Sequence, residues 1–192
     1  LHKGAEVYIT DFKGGVDFPK VWHEKCRMCF TEEDLLYTLN QLVAVLEYRK
    51  KALKELGSPN IDAYNETTEN KLPRLIFACD EVAELLDRTG RGKEDKERLA
   101  QIENKLATLA RLGRAFGIHL ILATQRPDAT IIPGQIRNNM DFRECGRADN
   151  VLSQIILDNT SAAEQIPKDA RGRFITGDGT VFQGYLFDEG QL

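Results

Sequence analysis

The chain has 192 residues, 42% of them hydrophobic, and a formal net charge of -4. That is enough apolar material for one sizeable core, so one domain is the default, and the acidic balance excludes a free-standing, strongly basic nucleic-acid binder. It leaves open an assembly in which a few loop residues of each subunit meet phosphates.

No apolar run approaches the roughly 20 residues of a membrane span, and no secretory signal is evident. Four scattered Cys point to a reducing cytoplasm rather than a disulfide framework.

In chain order, Ala5 to Asp11 reads as a short strand ending in an acid, and Phe12 to Asp17 turns the chain at Gly14 and Gly15. Thr31-Glu-Glu-Asp34 is a weaker form of the capping box and predicts a helix start. Leu35, Leu36, Leu39, Leu42, Val43, Leu46 and Leu53 then recur at helical spacing until Gly57 closes the element. Ser58 to Pro73 is a polar connector. Leu75 to Cys79 is apolar throughout and is expected to be buried on both faces. A helix begins at Val82, a charged surface excursion over 87–96 interrupts it, and a second helix carries Leu99, Ile102, Leu106, Leu109 and Leu112 on one face. It ends near Gly117, and His119 to Thr124 is the next strand. Residues 127–139 read as a loop, 141–147 as a strand, 151–157 and 161–166 as short helices, and 172–188 as a hairpin turning at Gly177-Asp178-Gly179. Strands alternating with long helices predict an α/β three-layer fold with a mostly parallel sheet, whose ligands sit at the carboxyl ends of the strands.

Two strand ends carry the chemistry. Leu75-Ile-Phe-Ala-Cys-Asp80-Glu81 ends in adjacent carboxylates, and Ile118-His-Leu-Ile-Leu-Ala-Thr-Gln125-Arg126-Pro127 ends in a polar tip. A P-loop nucleotide hydrolase arranges neighbouring strands this way: the acids hold Mg²⁺ and activate a water, and the polar tip senses the γ-phosphate. No G-x-x-x-x-G-K-[ST] loop occurs in the sequence, so the expectation is a downstream portion of one motor domain, spanning all of 1–192, with its first strand and phosphate loop lying upstream. The bland alternative for Asp80-Glu81 is a helix N-terminus favoured by the dipole. His23, Cys26 and Cys29 form H-x-x-C-x-x-C, but no second ligand pair follows at zinc-ribbon spacing, and ordinary small residues near an element edge are the expectation there.

The run Leu109-Ala-Arg-Leu-Gly-Arg114-Ala-Phe-Gly-Ile-His119 through Gln125-Arg126-Pro127 closely resembles the FtsK/SpoIIIE DNA-translocase motor. So do Glu47-Tyr-Arg49 through Glu55-Leu-Gly57, Asn60-Ile61 and Tyr64-Asn65, and Gly134-Gln-Ile-Arg-Asn138 leading to Arg143. The resemblance implies a RecA-like ATPase working as a hexameric ring, with ATP between subunits and double-stranded DNA in the channel. It implies that Asp80 supports Mg²⁺, Glu81 polarises the attacking water and Gln125 senses the γ-phosphate. An arginine acting on the neighbour's ATP is expected, with Arg143 and Arg114 both candidates. Asp11 and Lys13 lie at the nucleotide edge, their alternative being a local salt bridge. In the loop 131–139, Arg137, Asn138 and Asn139 are the candidate DNA contacts, against a structural loop with polar caps.

The family's Gly-x-Gly-Asp-Met-Leu stretch is replaced here by Ala170-Arg-Gly-Arg-Phe-Ile175. That shifts the resemblance from cell-division translocases toward the coupling ATPases of integrative conjugative elements. A relaxase or other conjugation protein is then an expected partner, and a cytoplasmic location follows, with any membrane anchor outside this segment. Two competitors remain: an ATPase of type VII protein secretion on the same core, and a non-catalytic ATPase-like assembly module.

Overall fold

The computed structural model describes residues 4–16, 18, 20–125 and 132–186. The chain forms two compact units that meet in sequence between Thr124 and Gln125.

The first unit is built on strands β1 (Glu6–Thr10), β2 (Arg27–Cys29), β3 (Leu75–Cys79) and β4 (Ile118–Leu122). They lie in the order β2-β1-β3-β4, every neighbouring pair parallel. Parallel neighbours need crossovers, and the helices supply them: α1 (Lys20–Lys25), α2 (Glu32–Glu55), α3 (Ile61–Thr67), α4 (Val82–Leu86) and α5 (Lys93–Leu112).

Helix α2 starts where the capping pattern predicts. The Thr31 hydroxyl accepts the Asp34 amide at 3.1 Å, and Glu32, Glu33 and Asp34 occupy the positive end of the dipole. It ends in a Schellman turn, Gly57 (φ +64°) donating to Lys54 and Ser58 to Leu53. Its buried stripe is Leu35, Leu39, Leu42, Leu46, Arg49 and Leu53. The matching stripe on α5 is Leu99, Ile102, Leu106 and Leu109, and the two helices pack together.

An arginine thus stands where the leucine rhythm calls for an apolar residue. Arg49 is 2% exposed, and its guanidinium donates to the carbonyls of Pro73 (2.6 Å) and Phe116 (2.7 Å). Those carbonyls lie just upstream of β3 and β4, so one side chain ties α2 to the entry of both central strands. Burial lowers the Arg49 pKa from its ordinary value. Gly117 completes this corner. It sits at φ +70°, and a Cβ there would stand 2.4 Å from Ile61 Cδ1.

Two expectations need correction. Leu75, Phe77 and Cys79 of β3 are buried, but Ile76 and Ala78 on the other face are only half-covered. An apolar run cannot by itself report which face a helix will cover. The excursion after α4 is also shorter than expected, because α5 already begins at Lys93 behind Gly92. Within it, Arg91 pairs with Glu32 of α2 and Arg88 with Glu103 of α5. Arg98 reaches Glu32, Glu33 and Asp95.

The second unit contains α6 (Gly134–Arg137), β5 (Glu144–Cys145), α7 (Asn150–Leu157), α8 (Ser161–Gln165), β6 (Arg173–Thr176) and β7 (Val181–Gln183). The strands form an antiparallel sheet, β5-β6-β7. The hairpin turns at the expected glycines, with Gly179 at φ +86°; residues 187–188 of the expected span lie outside the described residues. The strand expected over 141–147 shrinks to two residues, and a helical turn interrupts the expected loop at Gly134. The core gathers Cys145, Leu157, Ala162, Ile166 and Ile175. Buried Ser153 knits α7 to α8, donating to the Asn159 carbonyl at 2.8 Å and accepting the Ala162 amide at 3.1 Å. Among the described residues, no helix is long and apolar enough to cross a membrane.

Replacing Arg49 by Leu removes two short charge-assisted bonds and strands two carbonyls. At about 1.5 kcal/mol for each bond, we expect a loss of about 3 kcal/mol or more, measured by urea unfolding. Loss below about 1 kcal/mol contradicts the tie between α2 and the strand entries.

Candidate nucleotide-hydrolysis site

At the carboxyl edge of the parallel sheet, the ends of β1 and β3 enclose a cleft lined by Thr10, Asp11, Phe12, Lys13, Cys79, Asp80, Glu81 and Glu84. Four residues singled out from the sequence, Asp11, Lys13, Asp80 and Glu81, therefore meet in one place.

Asp11 is 3% exposed and shapes the loop after β1. Its carboxylate accepts the Lys13 amide on one oxygen and the Gly15 amide on the other, both at 2.8 Å. Gly14 and Gly15 take φ +75° and +85°, which a side chain rarely adopts, and a Cβ on Gly15 would meet His23 Cε1 at 2.6 Å. The loop so held sends Lys13 over to Asp80, Nζ to carboxylate 3.7 Å. Both partners are substantially exposed, so the pair contributes little stability; its consequence is placement.

The end of β3 is clasped to the end of β4 by backbone. The Ala123 amide donates to the Cys79 carbonyl, and the Ala123 carbonyl accepts the Val82 amide, both at 2.9 Å. Asp80 and Glu81 span that clasp, and Glu81 is the residue from which α4 starts. Across it, the Thr124 hydroxyl donates to Glu81 Oε1 at 2.5 Å. Thr124 and Glu84 were not singled out from the sequence. Thr124's position immediately before Gln125 at a strand tip was the available signal.

Below this edge the Cys79 thiol is 2% exposed, and burial pushes its pKa up to about 12. It is a packing residue.

The oxygen-rich lining suits a hard cation such as Mg²⁺, which binds through one or two carboxylates together with phosphate oxygens and water. Among the described residues, no three His, Cys, Asp or Glu side chains gather to hold a metal unaided. At His23-x-x-Cys26-x-x-Cys29, His23 Nε2 contacts the Phe18 carbonyl at 3.1 Å and the Cys29 thiol lies 3.2 Å from the Thr38 hydroxyl.

Arg114 lies elsewhere, in the 3₁₀ turn 113–116 before β4. It is exposed, at the amino edge of the sheet, separated from Asp80 by the length of β3. At about 3.3 Å per residue a five-residue strand is roughly 15 Å long.

The remaining candidates belong to the second unit. Gln125 is its first residue. Arg137, Asn138 and Asn139 sit at the end of α6, which Ile136 anchors at 0% exposure. Asn138 and Asn139 are exposed, and the Asn139 amide caps the turn by donating to the Gln135 carbonyl at 2.7 Å. Ile131, the start of the expected DNA loop, lies outside the described residues. Arg143 is engaged internally. It donates to the Met140 carbonyl at 3.1 Å, the Arg137 and Ile156 carbonyls at 3.4 Å, and the Asp158 carboxylate at 2.7 Å.

Comparison with known proteins matches residues 7–129 to the FtsK/SpoIIIE family. DNA translocase FtsK of Chlorobaculum tepidum is 37% identical over 130 residues, which is 67% of this chain and 15% of that protein. DNA translocase FtsK of Helicobacter pylori J99 is 36% identical over 129 residues, 65% of this chain and 14% of that one. The chain thus spans about one-seventh of the length of the curated relatives it matches. Among solved structures, the pCW3 conjugation coupling protein TcpA, a monomer form with ATPγS, superposes with a TM-score of 0.91 at 40% identity. That match covers 98% of this chain and 54% of TcpA. EccC (ATPases 2 and 3) of Thermomonospora curvata, in complex with a signal sequence peptide, gives 0.69 at 23% identity, over 96% of this chain and 32% of that one, a likeness of fold. The fold is an α/β core of the RecA-like P-loop ATPase type.

Asp11→Ala frees the Lys13 and Gly15 amides, and we expect their hydrogen exchange to accelerate about tenfold or more. Unchanged protection of both amides contradicts the role given to Asp11. In the folded protein, Cys79 is expected to resist iodoacetamide at pH 8, because so little thiolate exists there; modification as fast as in urea contradicts it.

Proposed function

The chain belongs to the FtsK/SpoIIIE family, and from that premise we propose that it is part of an ATP-driven motor acting on double-stranded DNA. Conjugative transfer of a mobile element is its proposed setting. The observation that carries the proposal is the cleft: two adjacent carboxylates at the carboxyl edge of a parallel sheet, flanked by Lys13 from one neighbouring strand end and Thr124 from the other.

Each residue then has a task. Asp80 and the phosphates would hold Mg²⁺, which neutralises phosphate charge when bound. Glu81 accepts the proton of the attacking water. Lys13, which pairs with Asp80, turns to a phosphate oxygen when nucleotide enters. Gln125, at the tip of the sensor strand, reads the γ-phosphate. The phosphate cradle comes from a segment upstream that pairs beside β4. One feature supports that placement: among the described residues β4 pairs only with β3, which leaves its other edge available to a further strand.

For the arginine acting on the neighbouring subunit's ATP, we favour Arg114. It lies on the opposite edge of the sheet from Asp80, so it cannot serve its own cleft, and it is exposed. Arg143 would have to abandon four bonds inside its own unit. The two-sided use of each subunit supports a ring, proposed to be a hexamer, with Arg137 and Asn138 at the end of α6 facing DNA phosphates.

A protein-translocating role is the competing assignment. Identity favours DNA: 40% to the conjugation coupling protein against 23% to the secretion ATPase EccC.

The deciding experiment is the ATPase rate of the full-length protein with and without linear duplex DNA. Strong stimulation supports the proposal; turnover indifferent to DNA moves it to the secretion class. Glu81→Gln is expected to abolish turnover while ATP binding persists, and wild-type turnover contradicts the general-base role. Arg114→Ala is expected to lower turnover by about 10³. Mixing these subunits with Glu81→Gln subunits restores part of it, since each mutant supplies what the other lacks. Absence of restoration at every ratio contradicts action in trans.

A further inference from the structure

We infer that Thr124 is a positioning residue for Glu81, holding the carboxylate in the attitude required to take a proton from the attacking water. The inference rests on the hydrolase function proposed above and adds a residue to it.

The geometry is built in, not incidental. Ala123 bonds through both its backbone groups, to Cys79 on one side of the Asp80-Glu81 pair and to Val82 on the other. The main chains carrying Thr124 and Glu81 are therefore fixed relative to each other by the β3–β4 register. What remains to be set is side-chain torsion. Thr is β-branched and stiff at χ1, whereas Glu has three torsions to order. A hydroxyl 2.5 Å from Oε1 fixes the flexible partner by the rigid one. A carboxylate offers about four lone-pair sites on two oxygens, so one hydroxyl bond can orient the group without exhausting its capacity to accept from water. Only an oriented base gains the advantage of proximity, because a misplaced carboxylate must find its position at every turnover. Thr124 touches neither substrate nor reacting atoms in this scheme; it acts through Glu81.

The test is steady-state kinetics of the full-length protein with duplex DNA, comparing Thr124→Val, which keeps the shape and loses the hydroxyl, with Thr124→Ser, which keeps the hydroxyl. We expect Thr124→Val to lower kcat about tenfold with KM for ATP unchanged, and Thr124→Ser to restore most of it. In a Glu81→Gln background, Thr124→Val should have no further effect, because the group it positions is gone. Wild-type kcat in Thr124→Val, an equal loss in Thr124→Ser, or a change confined to KM each overturns the inference. Should Thr124→Val not fold, Thr124→Ala against Thr124→Ser makes the same comparison. Glu81→Gln separates the levels: if that variant is inactive, a failure of Thr124→Val removes only the positioning role. If Glu81→Gln turns over normally, the general-base role of Glu81 proposed above falls, and the positioning role falls with it.

Discussion

One buried cation organises the first unit. Arg49 takes a place in the leucine stripe of α2 and holds the carbonyls that precede β3 and β4. Those two strands deliver Asp80-Glu81 and Thr124 at their far ends. A guanidinium in a core needs partners for its charge; here both terminal nitrogens find carbonyls while Nε is left without one, and those two bonds fix how α2 is seated. Seating α2 fixes where the two strands begin. Because the strands are parallel and in register over five residue pairs, fixing where they begin also fixes where they end. Stability is generated at the amino edge and chemistry is presented at the carboxyl edge.

The carboxyl edge is correspondingly lean. Its contacts are backbone clasps and single side-chain bonds: Asp11 on two amides, Lys13 on Asp80, Thr124 on Glu81. Asp11 is buried, but the Lys13 and Thr124 contacts are partly open to solvent. Such contacts can be exchanged when a phosphate arrives without disturbing the leucine layer between α2 and α5. The rigid and the adjustable are separated along the strand axis.

What the sequence disclosed depended on how local the signal was. The Thr31 cap, the Gly57 stop, the hairpin glycines and the apolar strand ending in Asp80-Glu81 are each written in a few consecutive residues, and each appears where expected. Arg49 was within reach, since 35, 39, 42, 46 and 53 leave a vacancy in the rhythm at 49, but the charge hid it. The Thr124–Glu81 bond joins residues 43 apart, and only the register of β3 on β4 creates it. The half-covered face of β3 escaped notice for a related reason: Ile76 and Phe77 are alike in sequence, and the fold alone distinguishes them. In the second unit, short elements such as the two-residue β5 and the single turn of α6 carry too few residues for periodicity to register.

The arginines between Arg88 and Arg98 have a bearing on how the proposed motor would meet DNA. Each is paired with Glu32, Glu33, Asp95 or Glu103 within the unit. A cation already neutralised by a carboxylate has no net charge to give a phosphate, and so displaces no condensed counterions from the duplex. The three arginines are therefore electrically quiet. If the chain serves the motor proposed above, such quietness would favour sliding, because every ion-releasing contact with the duplex acts as friction.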